Sequence, residues 1–239
     1  MKFTSDITVR LVQSCGGDHM VVAAARVSTS GDKAVELASL PVGERSGVIN
    51  AMLREGHGTP FEHGLMTFFV HAPIFVWRQI HRHRIGFSYN EESGRYKPLE
   101  PVFWLPRRDR SMLVPRDFKP MRPHFYQIDD DEFFTMSVAD MKVSYAQAWD
   151  IYADLLKGGI ASEVARTVLP VGTYSSCWVT CNPRSMMAFL SLRTKDERAN
   201  RLSHPQAEVE EVARQMEDHF SAQWPITYAA YNQYGRTAP

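Results

Sequence analysis

Between Arg82 and Tyr96 the chain reads Arg-His-Arg-Ile-Gly-Phe-Ser-Tyr-Asn-Glu-Glu-Ser-Gly-Arg-Tyr. Three arginines, a histidine, two serines, an asparagine and two carboxylates fall within these fifteen residues. A guanidinium matches phosphate and carboxylate better than any other side chain, because its planar fork donates paired hydrogen bonds. Ser and Asn add short-range donors and acceptors. Phe87, Tyr89 and Tyr96 are interleaved with the charges, and a purely solvated loop has no use for them. The segment therefore reads as a holder for a polyanionic, ring-bearing ligand.

Other chemistries find less support. His57, His63, His81 and His83 are close in sequence, but no His-Glu-x-x-His pair places two ligands on one helix face. On a helix, residues two apart such as His81 and His83 face away from each other, so no metal site is expected. There is no Gly-x-Ser-x-Gly elbow. Ser93 has no base beside it in sequence, so a hydrogen-bonding role is expected rather than a nucleophilic one. Cys177 and Cys181 sit among strand-forming residues and are expected to be buried packing thiols. Gly-x-Gly-x-x-Gly is absent, and Gly56-His57-Gly58 runs into Thr-Pro rather than a helix. A nucleotide cofactor must then be held by arginines and backbone groups outside a Rossmann unit. Arg166 inside an otherwise apolar helix and Arg193 at the end of another suggest, with Arg82, Arg84 and Arg95, separated arginines converging on anionic ligands.

These residues need elements to position them. Strands are expected over 7–12, 64–71, 102–105 and 173–181. Asp18 is expected to cap a helix over 19–27, and a second helix over 44–55 stops at Gly56, with a loop over 56–60. Pro73 suits the first turn of a helix running to about Arg84, apolar early and basic late. The helix dipole favours a basic C-terminus, which explains one or two of the basic residues but not five. Six prolines between 98 and 123 predict a long irregular excursion. The acidic run Asp129 to Glu132 opens a long helix ending before Gly158-Gly159, and a short helix starts at Ser162 and ends near Pro170. Asn182-Pro183 is a cap and first turn for a helix ending near Arg193. Pro205 opens a last long helix to about Trp224, and Pro225 a final short one.

The chain has 239 residues, enough for one sizeable core. A single domain spanning 1–239 is expected. Lys+Arg and Asp+Glu balance at 27 each, so bulk attraction to a nucleic acid polymer is not supported and any anion site must be local. Three sparse cysteines fit a reducing compartment. No apolar leader or run of 18 apolar residues is present, so the protein is expected to be cytoplasmic, with no membrane association.

Arg82-His83-Arg84 followed by Ser93-Gly94-Arg95-Tyr96 resembles the signature of the flavin-dependent thymidylate synthases (ThyX). Further segments fall in that family's order and approximate spacing over about 20–230. They are Ala24-Ala25-Arg26-Val27-Ser28, His57 to His63, Pro73 to Val76 with Arg78-Gln79, Glu163 to Arg166 with Leu169-Pro170, and Asn182 to Ser185 through Leu192-Arg193.

The resemblance implies an α+β fold, a mixed sheet with flanking helices, assembling as a homotetramer with active sites at subunit interfaces. It implies methylation of dUMP to dTMP, with methylenetetrahydrofolate as carbon donor and NADPH-reduced FAD as hydride source. Carried over by position, Arg82, His83, Arg84, Glu91, Ser28, Thr59 and Asn182 would contact the flavin, and His204 would join them. His57 would lie near the flavin ring. Gln79, Ser93, Gly94, Arg95, Arg166 and Arg193 would bind dUMP, with Arg193 at the uracil, where a guanidinium polarises the carbonyl edge and makes the ring carbon more nucleophilic. Four departures are visible. Eight residues, Ile85 to Glu92, separate Arg84 from Ser93 where seven are common. Ala188 stands where many members have an asparagine. The stretches 107–132 and 194–203 look longer than in compact members. Two rival classes are a non-catalytic nucleotide-binding module built on the same arginines and a flavin oxidoreductase without methyl transfer.

Overall fold

The computed structural model describes residues 1–117, 119 and 124–239, with Leu37 and Ala38 by backbone alone. Pro120 and Pro123 of the expected excursion lie outside the described residues. The strands are β1 (Lys2–Thr4), β2 (Thr8–Cys15), β3 (Leu65–Pro73), β4 (Phe87–Glu91), β5 (Val102–Trp104) and β6 (Tyr174–Cys181). The helices are α1 (Asp18–Ser30), α2 (Val42–Arg54), α3 (Ile74–Ile80), α4 (Asp131–Lys157), α5 (Ser162–Ala165), α6 (Pro183–Arg193), α7 (Ala207–Gln223) and α8 (Pro225–Gln233). Short 3-10 turns cover Gly31–Ser39, Thr59–Glu62 and Arg166–Val168. The fold is α+β. No helix among the described residues is long and apolar enough to cross a membrane.

The chain divides into two compact units. The first comprises Met1–Ile7, His71–Arg78 and Glu91–Ser176. In it β1 pairs in parallel with β5, Phe3 opposite Phe103. Phe103 stacks on Tyr145 of α4 at 5.1 Å between ring centroids, with Trp149 edge-on at 6.1 Å. Tyr152, fully buried, accepts a hydrogen bond from Leu99 N at 3.1 Å, which anchors the chain just after the Ser93 turn. The acidic start of α4 works as expected: Asp130 accepts from Glu132 N and Phe133 N at 2.9 and 3.1 Å.

The second unit comprises Thr8–Val70, Gln79–Asn90 and Cys177–Pro239. It holds most of a four-stranded sheet in the order β2-β3-β6-β4. α7 buries Val209, Val212, Ala213, Met216 and Phe220, a single apolar stripe at helical spacing. Burying each larger member of the stripe contributes about 1.5–3 kcal/mol. α6 is nearly all buried, through Met186, Met187, Phe189 and Leu190, and only Ala188 and Leu192 are exposed. It therefore works as a fixed post whose last residue is Arg193. Cys177 and Cys181 are buried, as the sequence predicts, and burial pushes the Cys181 thiol pKa up.

Two expectations are corrected and two strands are added. α3 stops at Ile80, so Arg82, His83 and Arg84 lie in a turn beyond it, where the helix dipole does not account for them. β1 and β4 are strands not expected from the sequence. Asp18 does not cap α1; its carboxylate accepts from Ile226 N at 2.8 Å and from Thr227 N and Oγ1 at 2.9 and 2.7 Å, and so caps α8.

Candidate functional site

In the second unit, Arg193 closes α6 and its guanidinium is half-buried. Its Nε donates to His83 Nε2 at 3.0 Å. Its two terminal nitrogens donate to Gln79, to Oε1 at 3.4 Å and to the backbone oxygen at 3.3 Å. A guanidinium has five N–H donors, so two remain for a ligand. Burial, then the neighbouring Arg82 charge, hold the Arg193 pKa below its ordinary value. Burial first, and the Arg193 charge second, bring the His83 pKa down to about 4. His83 is thus a neutral imidazole at physiological pH. Because Nε2 accepts, the ring proton is on Nδ1.

The turn carrying Arg82, His83 and Arg84 is fastened from two sides. Tyr89 of β4 donates its hydroxyl to the backbone oxygens of Ile80 and His83 at 3.1 and 2.7 Å. Ser185 of α6 donates Oγ to Ile85 O at 2.9 Å. Gly86 has φ +67°, and a Cβ there would lie 2.1 Å from Ser185 Oγ, so only glycine fits this bend. Arg82 and Arg84 are exposed and hold no side-chain hydrogen bond or ion pair among the described residues.

The start of α6 gathers more of the expected set. Asn182 Oδ1 caps the helix by accepting from Ser185 N at 2.8 Å, as the Asn-Pro pair predicts. Gly58 lies against Arg184, whose guanidinium a Cβ would meet at 2.4 Å. Arg184 in turn donates to Glu62 at 2.6 Å and to Pro239 O at 2.7 Å. The segment with exposed His57 and Thr59 is thereby held at the same end of α6 as Asn182 and Gly86. Ser28 lies on α1 and lines a hollow of about 350 Å³ with Ala25, Thr29, Gly47 and Ala51 among its walls. α2 also carries two buried polar atoms without a partner among the described residues, Arg45 Nε and Asn50 Oδ1. His204 is exposed in the connection between α6 and α7.

The first unit assembles a separate group. Ser93, Gly94 and Arg95 form a turn in which Ser93 Oγ accepts from Arg95 N at 3.2 Å. Gly94 is buried against Leu99 and the Arg166 side chain, which a Cβ there would meet tightly at 3.0 and 3.3 Å. Arg95 pairs with Glu163 at 2.8 Å, both partners being about half exposed, and lies over the Tyr96 ring at 5.5 Å. Arg166 is exposed, as is Glu91 at the end of β4. The expected nucleotide set is thus two groups, Gln79 with Arg193 in one unit and Ser93, Gly94, Arg95 with Arg166 in the other.

Two polar residues that sequence reasoning passes over join the Arg193 group. Gln79 Nε2 donates to Gln206 Oε1 at 2.5 Å, and Gln206 Nε2 donates to Glu208 Oε2 at 2.9 Å. They stand 127 and 129 residues from Gln79, so no local spacing marks them. Tyr89, noted only as an aromatic in the polar segment, proves to be a backbone anchor.

The model of the family described as "Thymidylate synthase complementing protein" matches residues 10–226. A protein named flavin-dependent thymidylate synthase, from Streptomyces avermitilis, is 47% identical over 238 residues, which cover 99% of this chain and 95% of that protein. Two crystal structures of a UMP/dUMP methylase, PolB from Streptomyces cacaoi, superpose on the whole chain at 42% identity. The one with 5-Br dUMP has a TM-score of 0.91 and is covered completely; the one with 5-Br UMP has 0.89 and is covered to 99%. A likeness of this extent, carried by motifs in the same order, means that the chain belongs to the flavin-dependent thymidylate synthase family.

Proposed function

We propose that this chain methylates dUMP to dTMP, with methylenetetrahydrofolate as carbon donor and with FAD, reduced by NADPH, as hydride source. The observation that carries the reading is the Arg193 group: a half-buried guanidinium with two spare donors, held on one side by a neutral imidazole and on the other by Gln79. A guanidinium facing a pyrimidine carbonyl stabilises negative charge on that oxygen and so favours the anionic, enolate-like form of the ring, whose C5 is nucleophilic. Ser93, Gly94, Arg95 and Arg166 take the nucleotide phosphate, a role suited to guanidinium and backbone donors in a turn.

The residues fit a flavin dinucleotide. Arg82 and Arg84 are exposed guanidinia with no side-chain partner to give up among the described residues, the chemistry a diphosphate needs. The hollow beside Ser28, lined also by Arg26 and Thr29, offers further polar groups to such a ligand. FAD, when bound, supplies the hydride that turns the transferred carbon into a methyl group. Arg82, His83, Arg84, Ser28, Thr59, Asn182, Glu91 and His204 would hold it, and His57 would stand by its ring. Residues 1–239 act as one functional domain, in a cytoplasmic homotetramer in which chains complete each other's sites.

A second reading, methylation of UMP, is favoured by the likeness to the Streptomyces cacaoi methylase. One experiment separates the readings. The purified protein is examined for a flavin spectrum and for tetramer mass by light scattering. It is then assayed with tritium at C5 of dUMP and of UMP, with and without NADPH and methylenetetrahydrofolate. A flavoprotein that releases tritium and forms dTMP only with both co-substrates supports the proposal. Faster turnover of UMP supports the second reading. Colourless protein that cannot be reconstituted with FAD and forms neither product overturns both.

A further inference from the structure

We propose that Gln206, anchored by Glu208, is the positioning residue that sets the amide of Gln79 and through it the donors Arg193 turns to the pyrimidine. This rests on the reading that Gln79 and Arg193 hold the nucleotide.

The five side chains form one directed line in the second unit. Glu208 Oε2 accepts from Gln206 Nε2, Gln206 Oε1 accepts from Gln79 Nε2, Gln79 Oε1 accepts from Arg193, and Arg193 Nε donates to His83 Nε2. The two ends fix the sense of everything between them. A carboxylate only accepts and a guanidinium only donates. Gln206 must therefore turn its nitrogens to Glu208 and its oxygen to Gln79. Gln79 must then turn its own oxygen to Arg193. Reversing either amide sets oxygen against oxygen or donor against donor. Without Gln206 the Gln79 amide is held from one end alone, by the 3.4 Å bond from Arg193, and is free to swing away from the guanidinium.

Two further observations favour positioning over a merely structural role. Gln206 stands at the N-cap of α7, yet its side chain makes no capping bond; it is directed to Gln79 and Glu208 instead. Glu208 is 4% exposed in the first turn of α7, beside Gln206 and turned to its amide. At the other end His83 is held neutral, so it accepts from Arg193 and does not repel it.

The test is a double-mutant cycle on flavin-loaded protein, with dUMP affinity read from the change in flavin absorbance and KM and kcat from turnover. Gln206→Leu is expected to weaken dUMP binding about tenfold with flavin occupancy unchanged. In a Gln79→Leu background the same change is expected to add nothing, because Gln206 acts through Gln79. Glu208→Gln gives Gln206 a partner that can donate as well as accept, so that end no longer fixes the sense of the line, and dUMP binding is expected to weaken in the same direction as in Gln206→Leu but by less. Gln206→Asn, which keeps an amide too short to span both partners, gives the same loss as Gln206→Leu and serves if the leucine variant does not fold. Wild-type dUMP affinity in folded Gln206→Leu or Gln206→Asn, while Arg193→Ala loses it, overturns the proposal. So does a fully additive effect in the double variant. If Gln79→Leu and Arg193→Ala themselves bind dUMP normally, the nucleotide reading of this group fails, and the proposal with it.

Discussion

Acid should weaken this protein through His83, and the size of the effect follows from its surroundings. The imidazole is half-buried with Arg193 Nε 3.0 Å from its Nε2, and its pKa lies at about 4 instead of the ordinary 6.5. Between those two values the unfolded chain binds a proton that the folded chain refuses, so stability falls as pH falls. The contribution is complete above about pH 6.5, shrinks through the interval, and is gone below about pH 4, where both states carry the proton. A gap of about 2.5 pH corresponds to roughly 3 kcal/mol, which solvent access to the ring reduces to about 1–2 kcal/mol. In a chain of this length that is a fall in Tm of about 2–8 °C. His83→Gln offers Arg193 an oxygen acceptor that does not titrate. Thermal unfolding of flavin-free wild type and variant, at one protein concentration, is compared at pH 7 and pH 4.5. His71, whose pKa is also lowered, chiefly by burial, is present in both proteins and cancels. The stability gap between the two should move by about 1–2 kcal/mol in favour of the variant at the lower pH. Parallel profiles refute the neutral-imidazole account of the site.

Other perturbations test neighbouring parts of the argument. Gly86→Ala should destabilise the protein by about 1–3 kcal/mol, because φ is +67° and the new Cβ meets Ser185 Oγ. Gly47→Ala, with open space around it, is the control, and equal Tm changes in the two contradict the reasoning. Ser93→Ala should weaken dUMP binding yet leave dTMP formation measurable at saturating substrate, since the Ser93 hydroxyl serves a turn; complete loss in single-turnover assays of folded, flavin-loaded protein contradicts this. Arg236 is 1% exposed at its side chain and donates to Glu217 at 2.6 Å and to Thr194 Oγ1 at 2.9 Å, just beyond Arg193. Arg236→Leu removes one of three partners of buried Glu217, which keeps Arg214 and Tyr228 at 2.9 and 3.0 Å, and should cost about 1–3 kcal/mol in chemical unfolding; a neutral result refutes that accounting.

The sequence by itself determined the helices whose boundaries are marked by capping chemistry, and the family. Asn182-Pro183 announces α6 and Asp130 announces α4, because a cap is a contact between residues two or three apart. The apolar stripe of α7 is likewise a matter of local spacing. Arg193 could be singled out as an anion holder because guanidinium chemistry travels with the residue type, whereas Gln79 and the flavin role of His83 came only with the family resemblance. Only the tertiary structure decided which of them meet. Asp18 looks like the cap of its own helix and instead caps α8, more than two hundred residues away. The basic residues after Ile80 leave the helix because Tyr89 and Ser185 capture the backbone of the turn, and neither bond has a local signature. Gln206 and Glu208 were invisible for the same reason. A hydrogen bond between distant residues depends on where the fold brings their side chains, and one-dimensional spacing carries no record of that.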